Sequence, residues 1–160
     1  MIALQPLNRN EANRVAGITL RPDQLKFAGT VEEALAEPAE RFDLHQIMLN
    51  QRPVGLFKID RFYWQDYPFA SQNDLGLRAV ILDHSVQGQG HGTAAMRELR
   101  TYLPALYPKA NALFLTVNLE NPVAVAVYRR AGFEETGDIW PHGEAGPQYI
   151  MSLPLSATAV

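Results

Sequence analysis

The chain of 160 residues contains no cysteine. That absence excludes a disulfide framework, thiolate metal ligands and a cysteine nucleophile, and it fits a reducing compartment. No stretch approaches the roughly 18 apolar residues that a membrane-spanning helix needs. The opening Met1-Ile2-Ala3-Leu4-Gln5-Pro6 has neither the positive start nor the apolar middle of a secretory signal, so a soluble cytoplasmic protein without membrane contact is expected. Lys and Arg are scattered rather than gathered in a stripe, and the net charge is −3 with a pI near 5.8. The basic footprint of a nucleic-acid-binding protein is therefore missing. There is no Gly-x-Ser-x-Gly, which argues against a serine hydrolase. There is also no internal repeat, low-complexity tract or long linker, so one domain spanning 1–160 is expected.

What is present is an ordinary globular composition, 47% hydrophobic and 19% charged. Residues 2–7 alternate like a short edge strand, where Pro6 is tolerated. Asn8 or Asn10 could cap a helix over about 9–18. Thr30 and Glu33 form a capping-box pattern, with Pro38 stopping the helix. Residues 45–49 and 54–59 read as a hairpin about a turn at 50–53. Residues 75–82 make a strand whose second half is uniformly apolar, as if buried on both faces. A helix over about 90–107 presents Met96, Leu99, Leu103 and Leu106 on one face. Residues 112–118 form another buried strand. Asn121 caps and Pro122 opens a further helix, which Gly132 closes. Strands near 133–139 and 147–153 follow, and the tail Pro154–Val160 is expected to fray. The order is β-α-α-β-β-β-α-β-α-β-β.

Gln87-Gly88-Gln89-Gly90-His91-Gly92-Thr93 lies between a buried strand and a helix. Glycines let the backbone turn tightly, and a helix start offers unpaired N–H groups and a positive dipole end. Together these suit phosphate. A Walker loop needs a terminal Gly-Lys-Ser/Thr, yet no lysine occurs between 59 and 108. A dinucleotide fingerprint needs G-x-G-x-x-G, whereas these glycines run G-x-G-x-G. The segment does fit Gln/Arg-x-x-Gly-x-Gly/Ala. About 30 residues later, Asn121-Pro122-Val123-Ala124-Val125-Ala126-Val127-Tyr128 precedes Gly132-Phe133.

This pair of motifs resembles the GCN5-related N-acetyltransferase superfamily, over roughly residues 75–138. Phe133-Glu134-Glu135-Thr136-Gly137 looks most similar to the bacterial diamine and spermidine branch. The resemblance implies an α/β (α+β) fold with a mixed, mostly antiparallel twisted sheet of about seven strands and about four helices. It implies acetyl transfer from acetyl-CoA to a primary amine, a small amine or polyamine, by direct attack through a tetrahedral intermediate. The cofactor would be held by Ile81 and Leu82 backbone N–H groups on a bulged strand, and by Gln87, Gly88, Gln89, Gly90, His91, Gly92 and Thr93 at the pyrophosphate. Asn121 and Tyr128 would complete the site. Tyr128 would be the general acid beside the CoA sulfur, although a core tyrosine with a buried hydroxyl partner is the plainer reading.

No acid interrupts residues 75–82, so Asp74, Asp83, His84, Glu120, His142, Glu144 and bulk water all stay open as base. The aromatic run Phe62–Phe69 with Asp66 reads either as packing or as one wall of an amine pocket. Gln24 and Phe27 lie, by resemblance, near the acceptor cleft. The four histidines lack metal-ligand spacing, so no metal is expected. A homodimer stays open. The competing readings are a non-catalytic acyl-CoA-binding module on the same fold and an acetyltransferase of peptide N-termini.

Overall fold

The computed structural model describes residues 1–155. Its elements run β1 (Ile2–Pro6), α1 (Pro22–Ala28), α2 (Val31–Leu35), β2 (Phe42–Leu49), β3 (Arg52–Asp60), β4 (Asp74–Leu82), α3 (His91–Leu106), β5 (Ala112–Asn118), α4 (Pro122–Arg130), β6 (Glu134–Trp140) and β7 (Gln148–Pro154). The strands form one sheet ordered β1-β2-β3-β4-β5-β7-β6. Every neighbouring pair is antiparallel except β4 and β5, which run parallel. This is the mixed, mostly antiparallel α/β architecture expected from the sequence, in the expected order.

Local chemistry accounts for most boundaries. Asn50 and Gln51 both take positive φ (49° and 69°), which gives the two-residue turn whose twist suits a hairpin. In α2 the Thr30 hydroxyl accepts from the Glu33 N–H while the Glu33 carboxylate accepts from the Thr30 N–H, a complete capping box. Asn121 caps α4 by accepting from the Ala124 N–H, Pro122 fills the first turn, and Gly132 lies just past the end with φ +104°. On α3, Met96, Leu99 and Leu103 are buried, but Leu106 is half exposed. Pro104 falls within that last turn, and the helix stops two residues after it.

The helix expected over 9–18 is instead a kinked 3-10 segment at Arg9–Arg14, broken at Glu11 (φ −109°, ψ 24°). The first α-helix starts later, at Pro22, so Gln24 and Phe27 sit on α1 and not between helices. None of α1's residues is fully buried, so it has no apolar periodicity to read. Its legible sign was Pro22 followed by Asp23 at a helix start. At the other end Pro154 closes β7 and Leu155 is buried, its N–H bonded to the Asn111 carbonyl, rather than fraying. The rest of the expected tail, 156–160, lies outside the described residues.

Apolar side chains gather on both faces of the sheet. The larger cluster joins Phe57, Ile59, Leu75, Leu77, Leu113, Leu115 and Val117 to Met96, Leu99 and Leu103 of α3 and Val125 of α4. The smaller joins Leu44, Leu56 and Ile81 to Val15, Val31 and Ala34. Leu77 and Ile81 are four residues apart, yet they belong to opposite faces. An unbroken strand, with its period of two, would put them on one face.

Candidate functional site

The change of face between Leu77 and Ile81 is a β-bulge. Leu56 pairs with Ile81 and Lys58 with Arg78, so two steps along β3 match three along β4. The surplus falls at Ala79 and Val80, and Ala79 takes φ +52°. That conformation costs a residue with a side chain about 1–2 kcal/mol. A bulge also turns backbone groups out of the ladder.

The neighbouring strand leaves at the same place. β4 and β5 pair only at Asp74–Ala112, Leu75–Leu113 and Gly76–Phe114. Beyond Gly76 they part. The parting point has a wedge: a Cβ on Gly76 would overlap the Tyr63 ring. Tyr63 stacks on Tyr67 at 4.0 Å, and the cluster continues through Phe69, Phe114 and Trp140. The aromatic run Phe62–Phe69 thus packs on the sheet at the fork and also supplies a cavity wall.

A cavity of about 800 Å³ fills the fork. It is lined by consecutive residues from both parting strands, Leu77–Val80 of β4 and Leu115–Asn118 of β5. Successive strand residues face opposite sides, so the cavity crosses the plane of the sheet. On the α4 side it meets Asn121, Ala124 and Tyr128. On the other side it meets Phe27 and Gly29, Glu33 and Glu37, and Tyr63, Asp66 and Tyr67. The segment between β6 and β7 closes it with His142, Glu144 and Ala145. That segment is pinned by the buried Asn118 amide, which donates to the Ala145 carbonyl at 3.0 Å, while its oxygen accepts from the Glu120 N–H.

Two of the residues singled out from sequence, Asn121 and Tyr128, therefore meet at the cavity. Tyr128 packs edge-on against Phe133, 5.4 Å between ring centres. Burial alone pushes its phenol above the usual tyrosine range, so the hydroxyl keeps its proton across neutral pH. Ile81 and Leu82 do not line the cavity. Ile81 is fully buried against the α2 side, and the wall position they were expected to hold belongs to Ala79 and Val80.

The glycine loop lies next to this cavity, not within its lining. Gly88 and Gly90 take φ +74° and +83°. A methyl group at either would meet nothing within 4 Å, so conformation and not crowding requires glycine here. Gly90 caps α3 without any side-chain hydrogen bond. The first N–H groups of this 16-residue helix, at His91, Gly92 and Thr93, thus have no partner among the described residues. The Gln87 side chain braces the loop: its amide donates to the Leu82 carbonyl at 2.7 Å and its oxygen accepts from Gln24 of α1 at 2.9 Å. Gln89 bonds back to the Ser85 carbonyl.

The structure sorts the six side chains weighed as base. Asp74 is buried at the closed end of the fork and accepts from Ser71 N–H and Oγ. Asp83 accepts from Thr19 and Ser85. Although its own burial acts the other way, these bonds keep its carboxyl below the usual range. His84 is tied to Thr19. None of these three, nor Glu120, lines the cavity, whereas His142 and Glu144 do. Thr116, Trp140 and Gln148 also line it, and no sequence motif marked them. Among the described residues there is no cluster of three metal-ligating side chains and no helix long and apolar enough to cross a membrane.

A family model described as the Acetyltransferase (GNAT) family matches residues 11–133. Comparison with curated protein sequences finds no match. Among solved structures, the fold is similar to that of the aminoglycoside acetyltransferase AAC(6')-Ib in complex with coenzyme A, with TM-score 0.76 and 20% identity over 96% of this chain and 95% of that one. It is also similar to the spermidine N-acetyltransferase from Vibrio cholerae in complex with CoA and spermine (TM-score 0.71, 16% identity, 96% and 95% covered). A third is the ribosomal-protein-S18-alanine N-acetyltransferase from Escherichia coli (TM-score 0.66, 21% identity, 98% and 95% covered). At these identities the likeness is one of fold.

Proposed function

The chain belongs to the acetyltransferase (GNAT) family, and on that premise we propose that it moves the acetyl group of acetyl-CoA onto a primary amine of a small molecule. The observation that carries this reading is the forked sheet, with a bulge on one prong and Tyr128 on the wall. Polar backbone groups that face into the fork have no ladder partner there, and a pantetheine arm carries amides that can bond such groups in the manner of an added strand. The free start of α3, reached through two left-handed glycines, suits a pyrophosphate. The residues present therefore fit acetyl-CoA, whose part in the chemistry is to bring the acetyl group as an activated thioester.

In the proposed reaction, backbone N–H groups at Ala79 and Val80 donate to the carbonyl oxygen as negative charge gathers on it, the role of an oxyanion hole. The amine loses a proton to His142, to Glu144 or to water. Its nitrogen bonds to the carbonyl carbon, and the carbon–sulfur bond breaks. Tyr128 donates to the departing sulfur and recovers its proton from solvent. The raised pKa limits this last step. An ordinary thiol titrates near 8.5, so full transfer from a phenol above 10 is uphill by at least about 2 kcal/mol. Burial raises the thiol as well and narrows that gap. Donation of a hydrogen bond, completed late in bond breaking, is the role that fits.

The test is titration of acetyl-CoA into the protein, followed by CoA release with a panel of amines, amino acids and peptide N-termini. Tyr128→Phe should bind acetyl-CoA normally and lose on the order of 10²-fold in kcat. Unchanged turnover in that variant would remove Tyr128 from the reaction. Tight acetyl-CoA binding with no release on any amine would favour the non-catalytic acyl-CoA-binding module instead. We further propose a single domain and a cytoplasmic setting, as the composition suggests; one sheet carries the core of the described residues.

A further inference from the structure

The charges in the cavity are mixed, and most are already spoken for. Four carboxylates line it, from Glu33, Glu37, Asp66 and Glu144, with three cations, Lys26, Lys58 and Arg78. Glu37 holds Lys58 at 2.9 Å. Asp66 holds Arg41 at 2.7 Å. Glu33 is bound into its capping box. Glu144 alone of the four has no partner among the described residues. A polycation needs several free carboxylates, and this cavity does not offer them.

Arg78 is in the converse position. Its anion is Asp60, which is fully buried and already takes two hydrogen bonds from Arg41, at 2.9 and 2.8 Å. Arg78 reaches Asp60 only through one nitrogen at 3.4 Å. Its guanidinium lies over the rings of Phe42 and Tyr67 at 5.8 and 5.7 Å, and its side chain is 35% exposed. A guanidinium has five N–H donors in a planar fork that matches a carboxylate. Four of them have no acceptor among the described residues. Tyr63 lines the same cavity but is 1% exposed, and its hydroxyl is buried beside Thr116, so it shapes the wall and leaves polar recognition to Arg78.

We propose that the acceptor carries a carboxylate as well as its amine, and that Arg78 is the residue that recognises this carboxylate. The substrate class is then amino acids or similar zwitterions, and not bare polyamines. The inference rests on the acetyl-transfer reading above. Arg78 binds the carboxylate side by side through its fork. Glu144, on the far wall, is the counter-charge for the ammonium. Arg78 directly precedes the bulge at Ala79, so an amine close to that carboxylate is held near the backbone groups assigned to the acetyl carbonyl.

The experiment compares acceptors that differ only in the carboxylate: ornithine with putrescine and lysine with cadaverine, in wild type, Arg78→Gln and Arg78→Lys. Acetyl-CoA binding is measured by calorimetry in each protein. Wild type should favour the amino acid by at least about tenfold in kcat/KM. Arg78→Gln should erase that preference by raising the amino-acid KM by about 10- to 100-fold, with acetyl-CoA affinity unchanged, and Arg78→Lys should restore part of it. Equal or better use of the diamine by wild type, or an equal loss on both members of a pair in Arg78→Gln, overturns the proposal. Failure of all three proteins to bind acetyl-CoA overturns instead the reading on which it rests. If acetyl-CoA binds but no acceptor turns over, binding of ornithine and putrescine to the CoA complex decides by the same preference.

Discussion

His45 is the residue with the most to lose as pH falls. It is 2% exposed and stacks on Phe57 at 5.1 Å. Tyr107 spends its one hydroxyl proton on Asp43, at 2.6 Å, so its oxygen accepts from Nε2–H of His45, and Nδ1 accepts from Tyr102 at 2.6 Å. A neutral imidazole fits that chain, with one donor and one acceptor. Burial lowers the His45 pKa from 6.5 to about 4, against a smaller opposing pull from Asp43. The unfolded chain therefore binds the proton more readily. The stability due to the neutral ring is complete above about pH 6.5 and is lost as pH falls toward 4, by about 3 kcal/mol. Thermal denaturation from pH 7 to 4 should show wild type losing that much more than His45→Gln. Parallel curves would mean that the ring takes up its proton without cost.

At the scale of elements, the glycine loop and the bulge differ in how openly they were written. The loop is punctuation: glycines between an apolar run and an amphipathic helix. At Gly90, with φ +83° and open space where a methyl group would go, alanine should cost about 1 kcal/mol in stability. Gly90→Ala should also weaken acetyl-CoA binding by more than Gly88→Ala does, because Gly90 sits at the helix start. Calorimetry on both variants checks this, and unchanged affinity at Gly90 would reduce the loop to a turn. The strand limits at 112–118 agree with the expected ones, because a mostly apolar run set between Asn111 and Asn118 states its own ends. The bulge left no such mark. It arises from a mismatch between β3 and β4, and a uniformly apolar second half of β4 hides a change of face. The α1 helix escaped for a related reason: with no fully buried residue, it carries no periodicity. The candidate site was legible where a motif lies on one element, as with Asn121 and Tyr128. Tyr63, Arg78, Thr116, Trp140 and Glu144 come from separate stretches, and only the strand order brings them together.

For the molecule as a whole, the fork decides the traffic. The gap that opens beyond Gly76 runs from the α4 face of the sheet to the face bearing Tyr63 and Glu33. If acetyl-CoA enters from the α4 face and the amine from the face bearing Tyr63 and Glu33, neither must leave before the other arrives. With no cysteine to carry an acyl group, turnover should pass through a complex of both substrates. Double-reciprocal plots of initial rate should give intersecting lines, and parallel lines would point to an acylated protein. Free CoA should compete with acetyl-CoA for one doorway while leaving the amine's doorway open, so inhibition by CoA should not be relieved by adding more amine.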